Sequence, residues 1–345
     1  MKTQKTTIHE IAKALNTTAS TVSRALNDNP RISKETKKRV FEMAEKLGYE
    51  PNTMASSLRR GHSKIIGIIV PYADRIFFSS VIRGIEEEVK KSGYNVIICQ
   101  SYENIKNEQD DVNALLSAQV AGIIISLSRE TDSVDHLNKV MKKGKPLILF
   151  DRTSDLISTS SVVIDDYHGA YSAVSHLIQN GYKRIAFFSG NKKVSIFKER
   201  FRGYLSALTD NNIPINDNYV IEVPSDVDQG KLVTEKLMEL SEKPDAIFSS
   251  SDFSALGAIK WLTQNNYRVP EDVGVIGFGN DPFTQYLEPT MTSVDQKSKE
   301  MGKTVAQVFL EQISNDHQIH RKVLLTPELI TRASSDKIQV KEIAV

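Results

Sequence analysis

The sequence predicts a small all-α helix-turn-helix head followed by an α/β body of two doubly wound parallel-sheet lobes. Three observations carry this. The first 47 residues hold three short segments with apolar residues at helical spacing. From residue 64 onward, continuous apolar runs alternate with amphipathic stretches, the pattern of strands buried on both faces between helices. This alternation runs through two successive sets of about 120 residues, each the size of one domain.

The head is read from its caps. Thr7 and Glu10 have the spacing of a capping box, with Ile8, Ile11, Ala12 and Leu15 on one helical face behind them. Asn16 and Thr17 form a turn, and Thr18 caps a second helix whose inward positions are Val22, Ala25 and Leu26. The run Asn27-Asp28-Asn29-Pro30 breaks it. Ser33 caps a third helix with Val40, Met43, Ala44 and Leu47 inward, and Gly48 ends it.

Residues 49–64 read differently. Pro51 holds the residue before it extended. The nine residues 52–60 are helix-compatible and closed by Gly61, but a helix that short is marginal in water. They are expected to form a conditional hinge helix. In the body, strands are expected at 65–70, 96–99, 121–125 and 146–150, with helices at 81–89, 111–118 and 137–142 between them. The cycle restarts with helices at 168–179, 200–210, 228–240 and 253–265 and strands at 185–189, 219–223, 246–249 and 273–278. A last helix at 296–314 and a strand at 322–325 pack back on the lobes. The expected domains are therefore 1–50 (head), 51–63 (hinge and linker), 64–165 plus 295–320 (N-lobe) and 166–294 plus 321–345 (C-lobe). Two such lobes leave a cleft, with ligand groups at the carboxyl ends of the strands.

Net charge is only +1, but it is unevenly spread. Residues 1–64 hold thirteen lysines and arginines against six acids, a net of +7, and the remainder holds 31 against 37, a net of −6. A basic module joined to a mildly acidic body is the electrostatic footprint of a nucleic-acid binder, although a solvated basic face has the same signature. No apolar run approaches the ~18–20 residues that span a bilayer, and residues 1–5 lead into polar sequence and not into a signal-peptide core. Cys99 has no second cysteine in this sequence to pair with and sits in an apolar strand, as a buried inert thiol does. The expected location is the cytoplasm. No Gly-x-Ser-x-Gly, Walker loop or Cys/His metal spacing occurs, and Gly274-x-x-Gly277-x-Gly279 has the wrong glycine spacing for a dinucleotide site. An enzyme, a metal and a cofactor are not expected.

The second helix carries Ala19, Ser20, Ser23 and Asn27 on its outer side, with Arg24. Small polar side chains allow entry into a major groove, and arginine can take guanine through two hydrogen bonds. Residues 7–27, continued by Ile32-Ser33, Thr36, Arg39-Val40, Ala44, Leu47-Gly48-Tyr49, Pro51-Asn52, Ala55 and Ser57-Leu58-Arg59, resemble the DNA-binding motif and hinge of the lactose repressor-like (LacI/GalR) family. The resemblance runs on through the lobes to about residue 335, which makes the body periplasmic-binding-protein-like. It implies a repressor that binds pseudo-palindromic double-stranded operator DNA as a homodimer or a higher oligomer. It further implies a small-molecule effector between the lobes, a sugar or sugar derivative. At matching positions, Thr7, Thr18, Ala19, Ser20, Thr21, Ser23, Arg24 and Asn27 would meet DNA, with Ala19 and Ser20 choosing sequence. Asn52, Ala55, Leu58 and Arg59 would act from the hinge. Leu58 is either a wedge between base steps or a core leucine docked on the body; the wedge offsets its unstacking cost by bending the DNA into wider contact.

In the cleft, the resemblance and the strand ends together point to Phe77 and Phe78 for stacking, and to Asp151, Arg152, Arg200, Asp252, Asn280 and Gln296 for polar contact with a polyhydroxylated ligand. Asp252 equally suits a helix N-cap, and the segment 295–296 either lines the cleft or caps the last helix. One departure stands out: where the family often carries Asp after Gly-Tyr/Phe, this chain has Gly279, with Asn280 as the expected replacement. If Leu58 is the wedge, Leu58→Ala weakens operator binding by much more than it weakens binding to random DNA. Equal losses in a competition titration would reject that role.

Overall fold

The computed structural model describes residues 6–49, 63–314 and 320–337. The chain divides into two units, residues 1–63 and 64–345. In the first, α1 (Ile8–Ala14), α2 (Ala19–Leu26) and α3 (Lys34–Lys46) close on Ile11, Val22, Ala25 and Val40. Helices this short need tertiary packing to persist, and their ends are tied as the sequence predicts. The Glu10 carboxylate accepts the Thr7 N–H at 2.7 Å. Thr18 Oγ1 accepts the Thr21 N–H at 3.1 Å, and Ser33 Oγ accepts the Thr36 N–H at 3.2 Å. Lys37 pairs with Asp28 at 2.6 Å and fixes α3 to the turn after α2. Leu47, expected inward, is the exposed C-cap of α3.

The second unit contains two six-stranded sheets. The N-lobe sheet is built from β1 (Ile65–Val70), β2 (Asn95–Gln100), β3 (Ile123–Ile125), β4 (Leu147–Phe150), β5 (Ser160–Ile164) and β11 (Lys322–Leu325). Their order is β11-β5-β4-β3-β1-β2, all parallel. The C-lobe sheet is built from β6 (Ile185–Ser189), β7 (Val220–Glu222), β8 (Ala246–Ser249), β9 (Gly274–Gly279), β10 (Thr292–Asp295) and β12 (Glu328–Ile330), in the order β12-β10-β9-β8-β6-β7. Only β12 runs antiparallel to its neighbour. Helices α4 (Ile76–Lys91), α5 (Ile105–Ser117) and α6 (Asp135–Lys142) belong to the N-lobe, and α7 (Asp166–Gln179), α8 (Ser195–Asp210), α9 (Val227–Met238) and α10 (Asp252–Gln264) to the C-lobe. The last helix, α11 (Ser298–Ser314), returns to the N-lobe against α4. The chain therefore passes between lobes three times: after β5, after β10 and after β11.

The strand 322–325 corrects the expected boundary at residue 321. The sequence places it in the C-lobe, but Lys322 through Leu325 pair with Ser161 through Ile164 in the N-lobe sheet, and β12 joins the C-lobe. β5 itself escaped the sequence reading because it begins with two serines. In the fold these are buried and partnered: Ser160 Oγ accepts from Gln312 Nε2 at 2.6 Å and from the Arg321 N–H at 3.1 Å. Cys99, expected buried, lies half-exposed on the edge strand β2. Burial and the Asp111 carboxylate push its thiol up to about 11.

α4 and α11 touch backbone to backbone. A Cβ on Gly302 would lie 2.1 Å from the Val81 carbonyl oxygen, and one on Gly84 would lie 2.4 Å from that of Lys299. Neither carbonyl can swing aside without disturbing its helix. Gly302→Ala is expected to cost about 1–3 kcal/mol as overpacking and to lower Tm by several degrees in calorimetry. An unchanged Tm would mean that the helices separate freely.

Candidate functional site

Two surfaces matter, one on each unit. On the first, α2 keeps its small polar face outward. Thr7, Thr18, Ser20, Arg24 and Asn27 are exposed, and Ala19, Thr21 and Ser23 are partly so. The face is ordered by its own bonds: the Thr18 and Thr21 hydroxyls lie 2.9 Å apart, and Asn27 Nδ2 donates to the Ser23 carbonyl at 2.7 Å. Asn52, Ala55, Leu58 and Arg59 lie outside the described residues.

On the second unit, a cavity of about 400 Å³ opens between the carboxyl ends of the two sheets, within the range of small-molecule sites. Its walls include Phe77, Phe78, Asp151, Arg152, Arg200 and Gln296, six of the eight residues singled out for the cleft. Arg200 is its centre. The guanidinium is 3% exposed. Nε donates to Asp166 Oδ1 at 2.7 Å, Nη1 to the Ser250 carbonyl at 2.9 Å and Nη2 to Gln296 Oε1 at 3.2 Å. The guanidinium carbon also lies 3.6 Å from the centroid of the Phe278 ring. Burial pushes the Asp166 carboxyl up even against that guanidinium. In the N-lobe, Arg152 Nη1 donates to Glu103 Oε2 at 2.7 Å. Burial raises the Glu103 carboxyl, but Arg152 and the Arg129 N–H outweigh it and hold the group below its usual range. Asp151 is 6% exposed, receives one long bond, 3.4 Å, from Ser126 Oγ and lies 3.8 Å from Arg152 Nε, and burial raises its carboxyl. Asp151 and Glu103 have φ of +59° and +61°, a region that costs non-glycine residues about 1–3 kcal/mol and recurs where a fold aims side chains at ligands.

Two expected cleft residues are placed elsewhere. Asp252 is not on the cavity wall, nor is it the N-cap, which is Ser251. It is 1% exposed beneath the cavity floor, accepting from Ser293 Oγ at 2.6 Å and from the Asp281 N–H at 2.7 Å. Asn280 turns away at φ +50°. Its Nδ2 donates to Asp295 Oδ2 at 3.3 Å and its Oδ1 accepts from Arg332 Nη2 at 2.9 Å, so it clasps the β9–β10 end instead of facing a ligand. The 295–296 alternatives divide between the two residues: Asp295 Oδ1 accepts the Lys297 N–H at 2.7 Å, while Gln296 lines the cavity. The cavity also takes Tyr72, Arg75, Glu103, Asn191, Phe197 and Asp281, which the sequence reading missed. All follow β1, β2, β6 or β9, so enumerating every polar or aromatic residue after each strand would have found them.

Residues 7–52 match the model of the bacterial regulatory proteins of the lacI family, and residues 174–335 match that of the periplasmic binding protein-like domain. Catabolite control protein A from Priestia megaterium is 34% identical over 96% of this chain and 99% of its own. The chain belongs to the lacI family. Lac-family likeness extends to solved structures. A lac repressor dimer bound to operator and an anti-inducer is 22% identical with a TM-score of 0.87, over 96% of this chain and 99% of the other, a likeness of fold. A lacI-family regulator from Enterococcus faecium with bound ribose is 27% identical with a TM-score of 0.71, over 79% and 99%. This lacI-family chain is a transcription regulator, and its relatives are regulators and not enzymes. No helix among its described residues is long and apolar enough to cross a membrane.

Asp252 sets a testable pH dependence. Burial raises its carboxyl to about 7, against the hydrogen bond from Ser293. A raised folded pKa favours the protonated, folded form, so this contribution is present on the acid side and is lost as pH rises through about 7. The Tm of the ligand-free protein is expected to fall between about pH 4 and pH 7 and to level off above that, and Asp252→Asn to flatten that slope. An identical slope in the variant would assign the effect to another group.

Proposed function

We propose that this regulator is a repressor that binds a pseudo-palindromic operator as a homodimer, or as a higher oligomer built from it, and whose DNA affinity is set by a sugar or sugar derivative held between the lobes. The observation that carries the reading is the pairing of two features in one chain: the exposed Thr18–Ser20–Arg24 face on a unit of net charge +6, and the aromatic and polar cavity of the body. In this reading Ala19, Ser20 and Arg24 face base edges, with Ala19 and Ser20 choosing sequence, and Thr7, Thr18, Thr21, Ser23 and Asn27 meet phosphates and edges. Phe77 and Phe78 supply an apolar face for a sugar ring. Asp151, Arg152, Arg200 and Gln296 supply acceptors and donors for its hydroxyls. Operator binding places the protein with the chromosome, in the cytoplasm.

The homodimer is supported by the edge strand β2, where Ile97 and Ile98 are 37% and 42% exposed, and by Tyr286, 80% exposed on the C-lobe. Apolar side chains beside an unpaired strand edge suit burial against a second copy. An effector that binds one arrangement of the lobes more tightly than another shifts their population, and the three chain crossings are where that shift would turn. The relative with bound ribose supports a sugar as ligand class.

Binding of the full-length protein to DNA selected from a random pool tests this. Log affinity is expected to fall linearly with log salt, by about three orders of magnitude between 50 and 200 mM for roughly six phosphate contacts. Arg24→Ala is expected to cost about 1–3 kcal/mol on the selected site and to relax the base preference there. An affinity that is flat with salt would reject the DNA reading.

A further inference from the structure

At Gly279, the end of β9, the C-lobe presents no side chain to the cavity. Gly279 has φ +146°, and a Cβ built there would meet Asp252 Oδ2 at 3.0 Å. A side chain at 279 would therefore need a strained backbone and would press against the buried Asp252 carboxylate. The backbone then swings through Asn280, which is committed to Arg332 and Asp295, and delivers Asp281 to the cavity wall. Asp281 is anchored by its backbone N–H to Asp252 at 2.7 Å. Its carboxylate makes no capping bond to the short helix that follows, and among the described residues it has no hydrogen-bond partner.

The charges around it show what is left unspent. Arg200 is consumed by Asp166, Ser250 and Gln296, while Arg152 spends Nη1 on Glu103 and the Leu127 carbonyl and keeps Nε, without a hydrogen-bond partner among the described residues, 3.8 Å from Asp151 Oδ2. Arg75 is exposed and reaches across the cleft to the Ser225 carbonyl at 3.3 Å, and Arg129 is exposed at the mouth. Two carboxylates on the cavity wall are thinly partnered. Asp281 from the C-lobe has no side-chain hydrogen bond among the described residues, and Asp151 from the N-lobe has only the 3.4 Å bond from Ser126 and the 3.8 Å contact with Arg152, which already offsets part of its charge. Burying a carboxylate without a donor is costly, so a ligand that brings donors recovers binding at both, while one that brings an anion adds repulsion.

We propose that Asp281, two residues beyond Gly279 and on the cavity wall, is the C-lobe's ligand-binding carboxylate. With Asp151, it makes the cavity selective for a ring rich in hydrogen-bond donors, a neutral or amino-substituted sugar, over sugar acids and sugar phosphates. This rests on the reading of the cleft as an effector site. Donor hydroxyls or an ammonium on such a ring would bridge the two carboxylates and so draw the lobes together.

The test uses the full-length protein and a panel of neutral mono- and disaccharides, including ribose, glucose and cellobiose, with glucosamine, glucuronate and glucose 6-phosphate as charged counterparts. Thermal shift ranks them and calorimetry measures the affinities. A neutral or amino member is expected to bind while the acid and phosphate members do not. Asp281→Asn is expected to lower that affinity at least about tenfold, with the ligand-free Tm unchanged, and Asp217→Asn, exposed and off the cavity wall, to leave it unchanged. Preferential binding of an acid or phosphate overturns the proposal, as does an affinity in Asp281→Asn within about twofold of wild type. Both results leave the effector reading standing. If Asp281→Asn misfolds, the wild-type preference still decides. A panel in which nothing shifts Tm overturns the effector reading and the proposal with it.

Discussion

The cavity is organised around one buried cation. Arg200 projects from α8, and its partners come from the start of α7, the end of β8 and the crossing after β10. Four segments distant in sequence thus meet at one guanidinium, which lies over the Phe278 ring from β9. Removing one member of such a buried pair costs about 3–5 kcal/mol, because the charge left behind has neither water nor a partner. The arrangement is best understood as positional. It holds Gln296 and the Ser250 turn at fixed places on the cavity wall, and it adjoins the crossing through which the lobes are joined.

The same logic separates the acids. Asp166 and Asp252 are buried with protein partners and serve the scaffold, whereas Asp151 and Asp281 are aimed at the opening with little to hold them. Burial raises all four. What distinguishes a structural acid from a ligand-facing one is therefore the direction of its hydrogen bonds and not its titration. The left-handed backbone at Asp151 and Glu103 fits this division, since both depart from relaxed geometry where the chain turns into the cleft.

The head was legible because its determinants are local: caps at Thr7, Thr18 and Ser33 and apolar residues at three-to-four spacing lie within one helix of each other. The strand–helix alternation of the lobes was legible for the same reason. What could not be read depended on partners far along the chain. β5 looks too polar for a buried strand until Gln312 and Arg321 arrive to satisfy Ser160. Asp252 looks like any acid after a strand, and only Ser293, 41 residues on, shows that it points inward. Asn280 was the natural replacement for Asp at 279, but Arg332 claims it from 52 residues away. The assignment of residues 322–325 failed similarly: a strand carries no mark of which sheet it will join.

The order in which the lobes are completed has a consequence for biosynthesis. The first five N-lobe strands are contiguous, but α11 and β11 follow only after almost the whole C-lobe. At ~5–20 residues per second, a ribosome needs roughly 10–30 s to supply them. Throughout that interval the face of α4 around Val81 and Ile85, which α11 will cover at the Gly84–Gly302 crossing, stays open, as does the β5 edge. The nascent chain thus emerges with an unfinished first lobe that closes only when its last segment leaves the exit tunnel, and a premature stop after residue 297 would leave that lobe open as a substrate for chaperones and proteases.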